Sequence, residues 1–321
     1  MRVLKRSVMI LSFAVASIGL FAQTVDEAGT KYNDGVEQMK AKDYSAAVTS
    51  FEEALKMATA VGLDADDLKI SIEKQLGSAY YKNGIALYKA KNLDGSLAVL
   101  NDGYGFAKEI SDSKLEKKFV SVIAQVYSKK GDALRKKGQL DEAFAQYELG
   151  LEIKPTCVKA FYGEGLVYKE KGDMDMMMEK MNLVIQNGEG DSKAAKTVAK
   201  AKKTASTTLV NEAARELQKE HGSIAVKYIN DSFKYADGNA DTYYYLTIAY
   251  NKSNQFSKAA EAGNKAVGMQ EGDKSDIYFE LGQALEGKGD ATAACNAYKK
   301  VTSGPNVDAA KYQMKEKLKC S

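Results

Sequence analysis

The sequence contains very little histidine, proline or cysteine, and it contains no tryptophan. Its 321 residues include 1 His, 2 Pro and 3 Cys. So few imidazoles and thiols leave little material for a metal centre or for histidine-based catalysis, and we expect no cofactor, no metal, no small-molecule substrate and no enzymatic activity. The 26 glycines beside so few prolines suit helices that are joined by glycine-containing turns.

An excess of charge is also absent from most of the chain. The formal net charge is +3 at pH 7, and Arg2, Lys5 and Arg6 account for all of it. The rest of the sequence is neutral overall. Because non-specific binding to nucleic acid needs many cations, we expect no nucleic-acid partner.

Long apolar runs are missing after the first residues. The one clear run, Val8–Ala22, has 15 residues, whereas a membrane-spanning helix needs about 20. It follows three basic residues and ends where polarity returns at Gln23, which is typical of a secretory signal peptide over residues 1–22. We therefore expect an exported, soluble protein of the periplasm or cell envelope that is not an integral membrane protein. An uncleaved N-terminal anchor is the alternative.

Internal repeats occupy most of the remaining sequence. The spacing of Tyr127 and Gly131 recurs 34 residues later at Phe161 and Gly165, and similar apolar patterns recur in both directions along the chain. Seven frames begin at residues 28, 77, 124, 158, 206, 240 and 275. Within a frame the apolar residues follow the helical period, so each frame predicts two amphipathic helices.

These aromatic and glycine positions, together with alanines such as Ala143 and Ala294, resemble the tetratricopeptide repeat family over about residues 28–304, although Trp is missing from the first aromatic position. The resemblance implies an all-α fold, a right-handed α-solenoid of about seven antiparallel helix pairs over residues 23–304. We expect a C-terminal capping helix within 305–321. Three steps between frames are longer by 13–15 residues, and we interpret them as elongated helices at about 65–91, 113–137 and 191–220.

In this family the first helix of each pair lines a concave groove, and partners usually bind there. The resemblance therefore implies an exported bacterial scaffold that binds a protein or peptide segment in the groove. Two frame positions, seven residues apart on one helix face, predict the contact residues. These candidate residues are Tyr32, Tyr81, Tyr88, Arg135, Tyr162, Lys169, Tyr244, Asn251 and Phe279. Two alternatives stay open: the aromatic residues serve only the scaffold, or the protein is an accessory subunit of an envelope or secretion assembly that uses its convex face or ends.

Three smaller clusters have a structural interpretation and an alternative. Met177, Met178 and Met181 are expected in a helix core, with an adaptable binding surface or a soft-metal site as the alternatives. The lysines between 193 and 203 predict a solvated helix face or contact with an acidic partner or an anionic membrane. Export permits disulfides, and we predict a bridge between Cys295 and Cys320 with Cys157 free, the alternative being three unpaired thiols.

Overall fold

Helices make up almost the whole of the structure, a computed structural model that describes residues 24–320. The predicted signal peptide lies outside the described residues. No strand occurs between residues 24 and 320, and the prediction of an all-α fold is confirmed. The helices are α1 (Val25–Ala41), α2 (Tyr44–Val61), α3 (Asp66–Lys89), α4 (Leu93–Glu109), α5 (Ser113–Arg135), α6 (Leu140–Ile153), α7 (Val158–Lys171), α8 (Met174–Gly188), α9 (Ala195–Gln218), α10 (Gly222–Ser232), α11 (Ala240–Lys252), α12 (Phe256–Met269), α13 (Ser275–Lys288), α14 (Ala291–Tyr298) and α15 (Val307–Tyr312).

The described residues divide into two compact units, 24–126 and 127–320. Helices α1 to α4 and the first part of α5 belong to the first unit, and the remaining helices belong to the second. Within each unit, consecutive helices pair through short turns, as the seven repeat frames predict. Each pair has a first helix (α1, α3, α5, α7, α9, α11 and α13) and a second helix, and we use these two terms below.

Local sequence fixes where these helices begin and end. Asp173 and Asp290 each accept a hydrogen bond from the backbone N–H three residues later, so each caps the N-terminus of a second helix. Directly before them, Gly172 and Gly289 have φ angles of 80° and 88°, a left-handed conformation that suits glycine. A Gly-Asp pair therefore encodes the turn between α7 and α8 and the turn between α13 and α14.

The three elongated helices are confirmed. Helices α3 and α9 have 24 residues each and α5 has 23, whereas α7, α12 and α13 have 14. The additional turns lie at the N-terminal ends of these first helices. In α3 and α5 they are residues 66–76 and 113–123, which precede the frames that begin at 77 and 124.

The core of a pair is built where a glycine of the first helix meets a large side chain of the second. In five pairs a Cβ atom added to the glycine would lie only 2.4–2.7 Å from that side chain. The pairs are Gly35 with Phe51, Gly84 with Leu100, Gly131 with Tyr147, Gly165 with Met181, and Gly282 with Tyr298. Phe51, Leu100, Tyr147, Met181 and Tyr298 are fully buried, as is Met177, so the expected core role of Met177 and Met181 is confirmed.

The C-terminal segment covers the last helix pair. After Pro305 the chain forms α15 and continues as a wider helical turn, Gln313–Lys317. Ala310, Met314 and Leu318 of this segment pack in one cluster with Tyr298 and Val301, so the segment covers the last helix pair. The structure joins Cys295 to Cys320 across this contact, with Cα atoms 5.8 Å apart, and it leaves Cys157 buried and unpaired.

Candidate protein-binding surface

In the first unit, the candidate residues Tyr32, Tyr81 and Tyr88 lie half-buried on the first helices α1 and α3. The Tyr32 ring lies 5.8 Å from the Phe51 ring, and the Tyr81 ring meets the Phe119 ring edge-on at 5.9 Å. Tyr81 also lines two depressions of about 300 and 620 Å³. One side of each of these rings therefore packs inside the protein, while part of it remains accessible.

In the second unit, Arg135 lies where one first helix meets the next. Its guanidinium forms an ion pair with Glu170, which joins α5 to α7, and the Arg135 side chain is only 17% exposed. Lys169, the neighbour of Glu170, is exposed. Arg135 thus stabilises the stacking of two repeats, whereas Lys169 remains available to a partner.

Tyr162 of α7 contacts the next first helix, α9, as Arg135 of α5 contacts α7. Its hydroxyl lies 3.4 Å from the hydroxyl of Thr204, which joins α7 to α9. The ring is half-buried, and it packs with the partly buried side chains around Met177 and Met181. Tyr162 therefore has both a packing role and an accessible portion.

Asn251 forms a polar contact between α11 and α13, and Tyr244 lies near the same carboxylate. The Asn251 Nδ2 group donates hydrogen bonds to the backbone oxygen of Glu280 at 2.9 Å and to its Oε2 at 3.0 Å. Burial raises the pKa of Tyr244 to about 12, and the nearby carboxylates of Glu280 and Asp276 add to the effect. Asn251 thus binds a carboxylate on the next first helix, and the pKa of Tyr244 is raised in part by the charge of that carboxylate.

The carboxylate of Glu280 lies in a partly buried environment that disfavours its charged form. Burial raises its pKa, and the hydrogen bond from Asn251 and the positive charge of Lys252 only partly oppose that effect. The Asn251 Oδ1 atom is buried without a hydrogen-bond partner among the described residues. The contact between Asn251 and Glu280 therefore leaves one buried acceptor, Asn251 Oδ1, without a donor.

Phe279 does not fit the interpretation of a contact residue. It is only 8% exposed, and its ring lies 5.9 Å from the Tyr298 ring, inside the cluster that the C-terminal segment covers. The physical reason is its place in the array: the capping segment packs on this side of the helix pair of α13 and α14 and covers the ring. We therefore remove Phe279 from the candidate surface.

Sequence reasoning missed the carboxylates that face these residues. Glu170 and Glu280 lie one repeat after Arg135 and Asn251, at sequence separations of 35 and 29 residues. A search for opposite charges one repeat apart would have found Glu170. Glu280 pairs with a neutral amide, and only the folded structure brings the two together.

The side chains that most often bind metals do not cluster in the described part of the chain. Between residues 24 and 320, no group of three or more His, Cys, Asp or Glu side chains is arranged to hold a metal ion. The His221 ring lies 2.7 Å from Glu216 in an exposed contact at the end of α9. No helix of the described part of the chain has the length and apolar character needed to cross a membrane.

Comparisons with known proteins give matches to repeat families. A family model described as TPR repeat matches residues 131–172, and a second one, described as tetratricopeptide repeat, matches residues 275–303. A search of curated protein sequences finds no match.

Several solved structures are similar to this chain at low identity. The structure of YrrB, described as a TPR protein with an unusual peptide-binding site, is 17% identical, with a TM-score of 0.38, and the match covers 65% of this chain and 97% of YrrB. The TPR2AB domain of yeast Sti1, solved as a complex with pHSP90, is 16% identical, with a TM-score of 0.37 and coverage of 92% and 97%. A tetratricopeptide repeat protein from Parabacteroides merdae is 14% identical, with a TM-score of 0.29 and coverage of 92% and 99%.

Proposed function

Because the chain belongs to the tetratricopeptide repeat family, we propose that it is an exported, non-enzymatic scaffold that binds a protein segment on the surface of its first helices. The observation that carries this proposal is the half-buried state of Tyr162 and Tyr244 on two first helices of the second unit. Aromatic rings that are held by packing and partly accessible are the side chains that most often dominate protein interfaces.

The electrostatics of this surface support a protein partner. Exposed Lys169 offers a donor, and the exposed carboxylate of its neighbour Glu170 offers an acceptor, on the same helix as the Tyr162 ring. Protein interfaces combine such polar groups with an apolar centre. The surface is thus suited to recognising a peptide chain rather than a single small molecule.

Export is supported by the sequence of residues 1–22 and by the cysteine pair. A basic start followed by a short apolar run is typical of a secretory signal, and disulfides persist in oxidising compartments such as the periplasm. N-terminal sequencing of protein from the envelope fraction should find a first residue near Gln23. Recovery of intact Met1 in the cytosol would contradict export.

The binding proposal is tested with single substitutions in the second unit. Partners are first identified by crosslinking in the cell envelope, and binding of the purified partner is then measured. Tyr162→Ala and Tyr244→Ala should each weaken binding by at least about tenfold, with little change in thermal stability. Tyr312→Ala is the matched control, because Tyr312 is 57% exposed on α15 and is not one of the candidate contact residues.

Two outcomes would contradict the proposal. If both variants bind the partner like the wild type, the binding surface lies elsewhere, as expected of an accessory subunit that uses its convex face or ends. If both variants lose binding only together with a large loss of stability, the rings belong to the scaffold.

A further inference from the structure

The additional turns of α3 and α5 form a cleft that an ordinary repeat does not have. Residues 66–76 and 113–123 precede their repeat frames, and both lie in the first unit. The two helices are in close contact here: a Cβ atom at Gly77 would lie 2.5 Å from Leu115. Beside this contact lies a cavity of about 620 Å³, which we call the α3–α5 cleft.

The lining of the α3–α5 cleft includes accessible apolar groups. Ile70 is 65% exposed, although large aliphatic side chains of this kind are normally buried. Tyr81, Ile110 and Leu115 also line the cleft, and all three are half-buried. The cleft therefore offers an apolar contact whose burial by a partner would be favourable.

The charged groups around the cleft have a positive excess. Lys74, Lys114 and Lys118 line it, are exposed, and form no ion pair within the described residues. Its two carboxylates already have partners. Glu73 lies 4.0 Å from Lys69, and Asp112 accepts a hydrogen bond of 2.9 Å from the Leu115 N–H at the start of α5.

Two of the three lysines lie near the first turn of α5, where Asp112 caps the Leu115 N–H. Lys114 lies in that turn, and Lys118 lies one turn further along the same helix. Three ammonium groups that form no ion pair within the described residues therefore line the same cleft as one exposed isoleucine.

We propose that the α3–α5 cleft binds an acidic segment of a partner protein, which places carboxylates on Lys74, Lys114 and Lys118 and packs an apolar side chain on Ile70. This rests on the proposed scaffold function and specifies the chemistry of the partner. The three lysines favour acidic residues in the partner by charge complementarity. The exposed Ile70 favours a peptide over a polyanion such as nucleic acid, because nucleic acid would leave Ile70 uncovered.

The test uses the full chain and a short fluorescein-labelled peptide that has glutamates on both sides of one leucine. Fluorescence anisotropy should show binding that weakens as salt is added, because screening acts on exposed charges. Lys74→Glu combined with Lys118→Glu should weaken it by at least about tenfold. Lys56→Glu combined with Lys117→Glu makes the same charge change on exposed lysines outside the cleft and should leave binding close to the wild type.

The apolar part of the proposal has its own variants. Ile70→Ser should weaken peptide binding, as should a peptide with serine in place of leucine. Leu63→Ser is the control, because Leu63 is 87% exposed and does not line the cleft. Equal effects of Ile70→Ser and Leu63→Ser would overturn the assignment of Ile70.

Other results separate this inference from the scaffold function. Absence of binding to the glutamate peptide, an equal loss in both lysine pairs, or preferential binding of DNA or of anionic lipid vesicles would overturn the cleft proposal. If the partner identified by crosslinking still binds the Lys74 and Lys118 variant, the scaffold function stands without the cleft. If the peptide binds the cleft but no partner is found, the scaffold function fails instead.

Discussion

Thr247 of α11 meets Gly263 of α12 with the larger residue on the first helix and the glycine on the second, the opposite of the arrangement in five other helix pairs. In those pairs the first helix carries glycine and the second carries a large side chain. In the pair of α11 and α12 the first helix carries the fully buried Thr247, and a Cβ atom at Gly263 would lie 3.4 Å from its Cγ2 atom. The contact needs one small residue, and either helix can supply it, because the packed volume is what must be conserved.

The first prediction tests this packing rule with Gly282→Ala. The new Cβ atom would lie 2.5 Å from the ring of the fully buried Tyr298, whose hydroxyl donates a hydrogen bond to Glu286 at 2.9 Å. Overpacking of this kind costs about 1–3 kcal/mol, which exceeds the gain of up to about 1 kcal/mol from alanine in a helix. Urea unfolding should show a net loss of stability.

The control is Gly268→Ala in α12, where nothing lies within 4 Å of the added Cβ atom. This variant should be as stable as the wild type or gain up to about 1 kcal/mol. If both variants are stabilised, the contact between Gly282 and Tyr298 is looser than the structure shows.

The second prediction concerns the buried ion pair of Glu164 and Lys180. Glu164 is 2% exposed, and its Oε2 atom lies 3.0 Å from the Lys180 ammonium. Lys180→Met removes the cation and leaves a buried carboxylate, which should cost about 3–5 kcal/mol of unfolding free energy at neutral pH. The double variant with Glu164→Gln should recover most of the loss, and Lys56→Met at an exposed site should change stability by no more than about 0.5 kcal/mol.

The pH dependence of Lys180→Met gives a second measurement. Burial raises the pKa of Glu164, and Lys180 opposes the shift, so the pKa should rise further in the variant. A carboxyl group whose pKa is raised on folding binds more protons in the folded state, and stability then falls as the pH rises through that range. The loss should therefore be smaller at mildly acidic pH than at neutral pH. A loss that is equal at both would contradict the assignment.

Particular residues show how far the sequence alone could predict this structure. The steps between frames predicted the three elongated helices, because insertions of near-whole turns keep the same helix face toward the core. The same frame placed Phe279 beside Tyr244 in one set of contact residues. Local pattern cannot distinguish them, since only the position of Phe279 in the last repeat brings it under the capping segment. The α3–α5 cleft was equally invisible, because it depends on which two helices are neighbours.

The third prediction is that Glu280→Gln stabilises the second unit at neutral pH. Burial raises the pKa of Glu280, so its charged form is disfavoured in the folded state. The glutamine oxygen can still accept the hydrogen bond from Asn251 Nδ2, and its amide can donate to the buried, unpaired Asn251 Oδ1. The gain should be about 1 kcal/mol, the net value of one hydrogen bond.

The matched control for Glu280→Gln is Glu271→Gln, which changes an exposed carboxylate in the loop before α13. It should leave the unfolding free energy unchanged. The gain from Glu280→Gln should shrink as the pH falls and Glu280 becomes protonated, because the neutral acid and the amide then differ little. A gain that grows on acidification would refute this account of Glu280.

The fourth prediction is that the mature protein contains one reactive thiol, that of Cys157, under denaturing and non-reducing conditions. Cys295 and Cys320 are 25 residues apart in sequence, and closing a loop of this size contributes about 3 kcal/mol through the entropy of the unfolded chain. Reduction should therefore lower stability, and it should increase hydrogen exchange in α15 before it does so in α13, because the bridge holds the capping segment on the last helix pair. Three reactive thiols per chain would exclude the bridge. Unchanged exchange in α15 after reduction would show that the packing of Ala310, Met314 and Leu318 holds this segment without it.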